Sequence, residues 1–234
     1  MITIRKDGFY QVENQADVPC IGIETDRLAR CIQGVKHLDA KGVFGSPYHG
    51  FHSNNLSFLK ELPDIEALVL RDTTIEDLDG LYDVKALKHF QTNYRRPAVD
   101  FSKLPTLEKA VLEPVSLDRG LETLKQLKTL HLWNYRPRTR DLSLLPLPKS
   151  LEELSLNWVS IASAADLPEL PHLKTLEIKH CKVITDLNLP LDRLPELERL
   201  IVHACIKIPE QELARAAQDY AHLSEVRINE EEEH

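Results

Sequence analysis

The chain has 234 residues but only four cysteines, Cys20, Cys31, Cys181 and Cys205, and no two of them form a Cys-x-x-Cys pair. A disulfide scaffold is excluded and free thiols are expected. No run of about eighteen apolar residues occurs, so no membrane-spanning helix is read from the sequence. Met1 to Asp7 carry charge where a signal peptide keeps its apolar stretch, which points to a cytoplasmic protein. Also missing are the Gly-x-Ser-x-Gly elbow, the P-loop, the dinucleotide glycine fingerprint and the His-Glu-x-x-His helix. No catalytic residue, metal or cofactor is therefore assigned, and enzyme activity is not expected. Positive charge is in deficit: 29 − 37 gives −8, of which Glu230 to Glu233 supply four. A body with so little basic excess is a poor match for nucleic acid or an anionic membrane. What remains, 42% hydrophobic and 28% charged, is the balance of a globular chain able to bury a core.

Leucine is abundant and unevenly placed, with 38 in total and 34 of them between positions 51 and 200. Their order is periodic. The pattern L-x-x-L-x-L, with a further apolar residue three positions upstream, is complete at Leu62, Ile65, Leu68 and Leu70 and again at Leu124, Leu127, Leu130 and Leu132. Leu151, Leu154 and Leu156 carry it next, followed by Leu170, Leu173, Leu176 and Ile178, then Leu194, Leu197, Leu200 and Val202. Weaker copies end at Phe90 and Thr92 and at Ala110 and Leu112. Aligned on the last pair, successive copies are 22, 20, 20, 24, 22 and 24 residues apart. An L-x-L alternation is a strand with one buried face, and the preceding leucine turns the chain inward. A single copy cannot bury its apolar side, whereas stacked copies can.

These residues resemble the leucine-rich repeat family in its short-repeat class, over roughly Leu59 to Cys205, with a bacterial origin expected. The resemblance implies an α/β fold: a right-handed leucine-rich repeat solenoid with a parallel sheet on the concave face and loops and short helices on the convex face. It also implies an asparagine or cysteine three positions after the second strand leucine. Thr73, Cys181 and Cys205 stand there in three copies, but Arg95, Val115, Tyr135 and Val159 in the others. Irregular middle turns are expected.

The domain plan places an N-terminal β-type cap at 1–34, with a hairpin around Asp7-Gly8. The solenoid runs over 35–208, starting from a degenerate copy at Val35, Leu38 and Ala40 and carrying an insertion-like loop at 41–57. A helix with Leu213, Ala214, Ala217 and Ala221 on one face and a strand at Val226 and Ile228 form a cap over 209–229, before an acidic tail at 230–234.

Alternation also sorts the polar residues by face. The open side is expected to carry His37, Asp39, Lys41, Ala67, Val69, His89 and, at the far end, Arg227 and Asn229. Six basic and six acidic residues share that face, along with both tryptophans and five of the ten histidines. A neutral, aromatic surface suits a protein partner, because indole anchors carry much of the binding energy at interfaces. The expected binding centre comprises Tyr94, His131, Trp133, Asn134, Asn157, Trp158, Lys179, His180 and His203. Loops folding over the rings are the competing reading of the same residues. With histidines in the site, affinity is expected to depend on pH near 6 to 6.5.

A second patch is formed by two similar loops, with Arg95 and Arg96 in one and Tyr135, Arg136, Arg138 and Arg140 in the other. Guanidinium groups there can grip an acidic or phosphate-bearing partner. His180-Cys181 and His203-x-Cys205 superpose in adjacent copies, yet alternation sends the histidines out and the cysteines in, which argues against a zinc site. The functional expectation is a monomeric, non-enzymatic scaffold that recognises a protein partner through its concave face, in the manner of an immunity or inhibitor protein. A structural adaptor using the arginine loops, and a small-ligand or glycan binder using the tryptophans, are the alternatives.

Overall fold

The computed structural model describes residues 2–13, 16 and 18–228, so Asn229 and the acidic tail lie outside the described residues. The chain divides into two compact units, Met1–Gly120 and Leu121–His234.

In the first unit, β1 (Ile2–Lys6) and β2 (Phe9–Glu13) pair antiparallel, turning at Asp7 and Gly8, both of which have positive φ. β2 runs antiparallel to β3 (Cys20–Gly22), and every later pairing in the unit is parallel. α1 (Leu28–His37) crosses over to β4 (Gly42–Gly45), which is followed by β5 (Ala67–Leu70), β6 (His89–Thr92) and β7 (Lys109–Leu112). The second unit stacks β8 (Thr129–Trp133), β9 (Glu153–Asn157), β10 (Thr175–Lys179) and β11 (Arg199–His203) in parallel. α2 (Glu210–Asp219) then leads to β12 (Glu225–Ile228), parallel to β11.

The leucine register holds strand by strand. Leu130 pairs with Leu154 and Leu132 with Leu156, then Leu176 with Leu200 and Ile178 with Val202, and all eight are buried. The weak copies keep the same register, since Phe90 faces Ala110 and Thr92 faces Leu112. Short 3₁₀ turns, such as Leu81–Asp83, Phe101–Lys103 and Leu191–Arg193, form the return segments. A tight turn suits a return of about ten residues, because its backbone satisfies itself within three positions.

Four expectations are corrected. The first copy is not Val35, Leu38 and Ala40: Val35 lies on the buried side of α1, and Val43 and Gly45 pair with Leu68 and Leu70. The segment 41–57 is accordingly no insertion, since it holds β4 and the 3₁₀ turn Pro47–His49. Small residues are needed there, because a side-chain carbon on Gly42 would sit 2.4 Å from the Cys20 sulfur. His37, Asp39 and Lys41 therefore leave the open-face set. In the same unit Ala67, Val69 and His89 are buried, and Cys20, Phe44, Ala67 and Val69 form a small second core against Tyr10, Ala16 and Val18. The N-terminal segment thus covers that part of the sheet. Finally, α2 is rotated from the expected face: Ala216 and Tyr220 are buried while Ala214 and Ala217 are exposed. The Tyr220 hydroxyl decides this orientation. It donates to the Leu187 carbonyl at 2.7 Å and accepts from the Leu189 N–H at 2.8 Å, satisfying the turn of the last return segment.

Candidate functional site

The second unit gathers eight of the nine expected centre residues on the open side of β8 to β11. Four are rings in a row. Trp133 lies 5.3 Å from Trp158 between centroids, Trp158 stacks on His180 at 4.3 Å with 10° between planes, and His180 meets His203 edge-on at 5.5 Å. Strand order places Trp133 on one side of Trp158 and His180 on the other, so both indole faces are covered. What this row offers outward is a ridge of ring edges. The rings also serve the fold, since each stack contributes about 0.5–1.5 kcal/mol between neighbouring repeats.

The ridge owes its form to an unusual backbone. The second residue after the strand pair adopts a left-handed conformation in several copies: Asp72 (φ 53), Asn134 (55), Trp158 (52), His180 (56) and Ala204 (53). Its N–H still extends the ladder, as Asn134 donates to the Asn157 carbonyl, Trp158 to Lys179 and His180 to His203 at 2.8–3.0 Å. The turn imposes this conformation on every such copy. Asp72 and Asn134 are the residue types that tolerate it, whereas an indole there is strained by roughly 1–2 kcal/mol. Trp158 nonetheless keeps 36% of its surface exposed. Replacing Trp158 with Asn removes the strain and the stacking together. Thermal unfolding is expected to shift by less than about 1 kcal/mol, while the near-ultraviolet circular dichroism of the coupled indoles collapses.

Beside the ridge runs a polar row. His131 Nε2 donates to Glu153 at 2.8 Å, Asn157 donates to the Ser155 hydroxyl at 2.9 Å, Ser155 donates to Glu177 at 2.8 Å, and Lys179 pairs with Glu177 at 3.2 Å. Ser155 and Asn157 are buried in this network, which fixes the floor of the site and takes Asn157 out of direct reach. Of the five histidines expected on the open face, His131, His180 and His203 are there. Below the sheet, the Cys181 thiol donates toward the Leu156 carbonyl and the Cys205 thiol toward that of Ile178. Hydrogen bonding to Cys205, together with burial, holds the Cys181 thiol well above its ordinary range. Both cysteines therefore serve the role of the missing asparagines, on the side opposite the histidines.

Tyr94 belongs to the first unit. It is exposed, its N–H donates to Glu113 at 3.3 Å, and its ring carries the Arg95 guanidinium at 5.7 Å. Arg96 is not part of a loop patch. It is buried and clamps Asp118 through both guanidinium nitrogens at 2.7 Å, with side chains only 1% and 2% exposed. Asp118 in turn accepts the N–H groups of Val99 at 2.8 Å and Val115 at 3.0 Å. The pair does for the irregular middle turns what an asparagine ladder does elsewhere. Sequence reading missed Asp118, which lies 22 residues after Arg96 where the local repeat step is 20, so the register does not pair the two. In the second unit Tyr135 is half-buried, and burial followed by nearby Asp141 raises its phenol above the usual range, while Arg136, Arg138 and Arg140 are exposed. Among the described residues no helix is long and apolar enough to cross a membrane.

No family model matches the sequence. The disease resistance protein RPS4B of Arabidopsis thaliana is 28% identical over 165 residues, covering 65% of this chain and 14% of that protein. The chain thus spans about one seventh of that relative's length. Among solved structures, internalin C2 from Listeria monocytogenes is 19% identical with a TM-score of 0.50, covering 76% of this chain and 77% of that one. An internalin (inlF) of the same organism is 16% identical with a TM-score of 0.53, covering 81% of this chain and 55% of that one. Identities this low speak for the fold alone. In-register copies, parallel strands paired leucine on leucine and the likeness to these solved structures together show a leucine-rich repeat fold.

Proposed function

We propose that the chain is a non-enzymatic scaffold that recognises a protein partner through the open face of its repeats, with the edges of Trp133, Trp158, His180 and His203 as the contact centre. One observation carries this reading. A tryptophan occupies a left-handed position that sibling copies fill with aspartate, asparagine, histidine or alanine, and it remains partly exposed there. Strain retained at an exposed aromatic is accounted for by contact with something outside the fold. A dedicated inhibitor or immunity protein, acting as a cytoplasmic monomer without cofactor or nucleic acid, fits a surface of this kind; that step is analogy with the scaffold. The glycan reading loses support, because Trp133 and His180 cover the two faces of Trp158 on which a sugar ring would stack.

The test is a double substitution, Trp133→Ala with Trp158→Ala, in a bait used to recover and then titrate the wild-type partner. Affinity is expected to fall by about thirtyfold or more, the scale of a hot spot, with the far-ultraviolet circular dichroism unchanged. Equal affinity in the double variant sinks the proposal.

A further inference from the structure

The arginines of the second unit fall into two groups. Arg199 binds Glu225 at 2.6 Å, Arg215 binds Glu212 and Asp219, Arg227 binds Glu225 at 2.5 Å, and Arg193 donates to the Leu167 carbonyl at 3.2 Å. The other three, Arg136, Arg138 and Arg140, are exposed, and among the described residues no carboxylate, carbonyl or ring partners their guanidinium groups. They sit together in one loop. Asp141, the one acid between Tyr135 and Asp141, turns its carboxylate to the Ser143 N–H at 2.9 Å and to the Ser143 hydroxyl. Hydrogen bonds from Ser143 hold that carboxyl below its usual range. Seven residues therefore carry +3 − 1 = +2 in a chain whose formal charge is −8.

The loop is also held in shape. The Arg140 N–H closes a turn on the Pro137 carbonyl at 3.2 Å, the Ser160 N–H bonds the Tyr135 carbonyl at 2.9 Å, and the Ala162 N–H bonds the Arg140 carbonyl at 2.8 Å. Anchoring both ends to the next repeat lowers the ordering cost of a ligand that uses the arginines. The Arg140 N–H is spent on the turn, and the three guanidinium forks are the charged groups that the loop offers a ligand. A guanidinium fork matches a carboxylate bidentately, and no helix N-terminus opens at residues 135–141 to favour phosphate. Elsewhere in this chain arginine pairs with the carboxylates of Asp118, Asp100 and Glu225, while Arg95 takes the Tyr94 hydroxyl and ring.

We infer that the turn Tyr135–Asp141 is a docking surface for an acidic segment of a protein partner, received by Arg136, Arg138 and Arg140. This site goes beyond the aromatic ridge and is tested apart from it. The probe is a fluorescein-labelled decapeptide of alternating glutamate and aspartate, titrated into the full chain by fluorescence anisotropy. Wild-type protein is expected to bind it, more weakly by severalfold at about 200 mM than at about 50 mM salt. The triple variant Arg136→Ser, Arg138→Ser, Arg140→Ser is expected to lose about tenfold in affinity, and Arg138→Glu alone a smaller part of it. Thermal unfolding of both variants should match wild type, since the replaced guanidinium groups are exposed and make no ion pair or hydrogen bond among the described residues. Trp133→Ala with Trp158→Ala is expected to bind the peptide as wild type does, so failure of the ridge and failure of the loop give different results. Absence of peptide binding, or equal binding by the triple variant, overturns the inference. So does tighter, competing binding of inorganic tripolyphosphate or of single-stranded RNA, which would assign the loop to phosphate.

Discussion

Replacing Asp118 with alanine is expected to lower the unfolding free energy by about 3–5 kcal/mol, measured by urea denaturation followed by circular dichroism. Both oxygens of this carboxylate are committed: one to an Arg96 nitrogen and the Val99 N–H, the other to the second Arg96 nitrogen and the Val115 N–H. Its removal leaves the guanidinium with only the Pro97 carbonyl at 3.0 Å and leaves two amides without acceptors in the interior. Water does not reach them, since the Arg96 side chain is 1% exposed. Much of the cost arises from leaving one charge unpaired, so Arg96→Met combined with Asp118→Leu should be markedly less destabilising than Asp118→Ala alone. A loss below about 1 kcal/mol for Asp118→Ala would show that the pair is solvated in the folded state.

Gly80→Ala should be as damaging, for a steric reason. Gly80 has φ +93, and a side-chain carbon there would lie 2.3 Å from the Leu56 carbonyl oxygen and 3.2 Å from the Ser57 Cα. Those atoms are backbone of the preceding repeat and cannot swing away. The loss is expected to exceed about 3 kcal/mol, combining left-handed strain with displacement of one return segment against another. Gly50 supplies the control. Its φ of +84 is nearly the same, but the nearest atoms are those of Glu24 at 3.5 Å and beyond. Gly50→Ala is therefore expected to cost only about 1 kcal/mol. Equal losses in the two variants would mean that the dihedral, and not the close approach of repeats, governs both positions.

How legible each feature was depended on how far its cause extends along the chain. Leu154 and Leu156 announce a half-buried strand within three residues, and the recurrence of that pattern aligned Leu130, Leu176 and Leu200 with it before any coordinates. Val43 and Gly45 occupy the same register without announcing it. Close packing on Cys20 and Phe51 requires glycines at 42 and 45, and glycine erases the alternation that the eye follows. The ring row was legible as membership of one face. That Trp158 spends its two faces on Trp133 and His180 was not, because stacking is set by side-chain torsions and a left-handed backbone. Arg96 reads in sequence like its exposed neighbour Arg95 and differs only through Asp118.

The sequence by itself determined the repeat, its period, the strand register from Leu68 to Val202 and the inward direction of Cys181 and Cys205. All of these follow from hydrophobic periodicity, which those copies state locally and their neighbours repeat. Only the tertiary structure decided which polar residues are available to a partner. It buried Arg96, His89 and Asn157, covered Ala67 and Val69 with the N-terminal segment, and left Arg136, Arg138 and Arg140 without carboxylates. Exposure and pairing depend on what a neighbouring repeat presents some twenty residues away, and a side chain's own residue type carries no record of that neighbour.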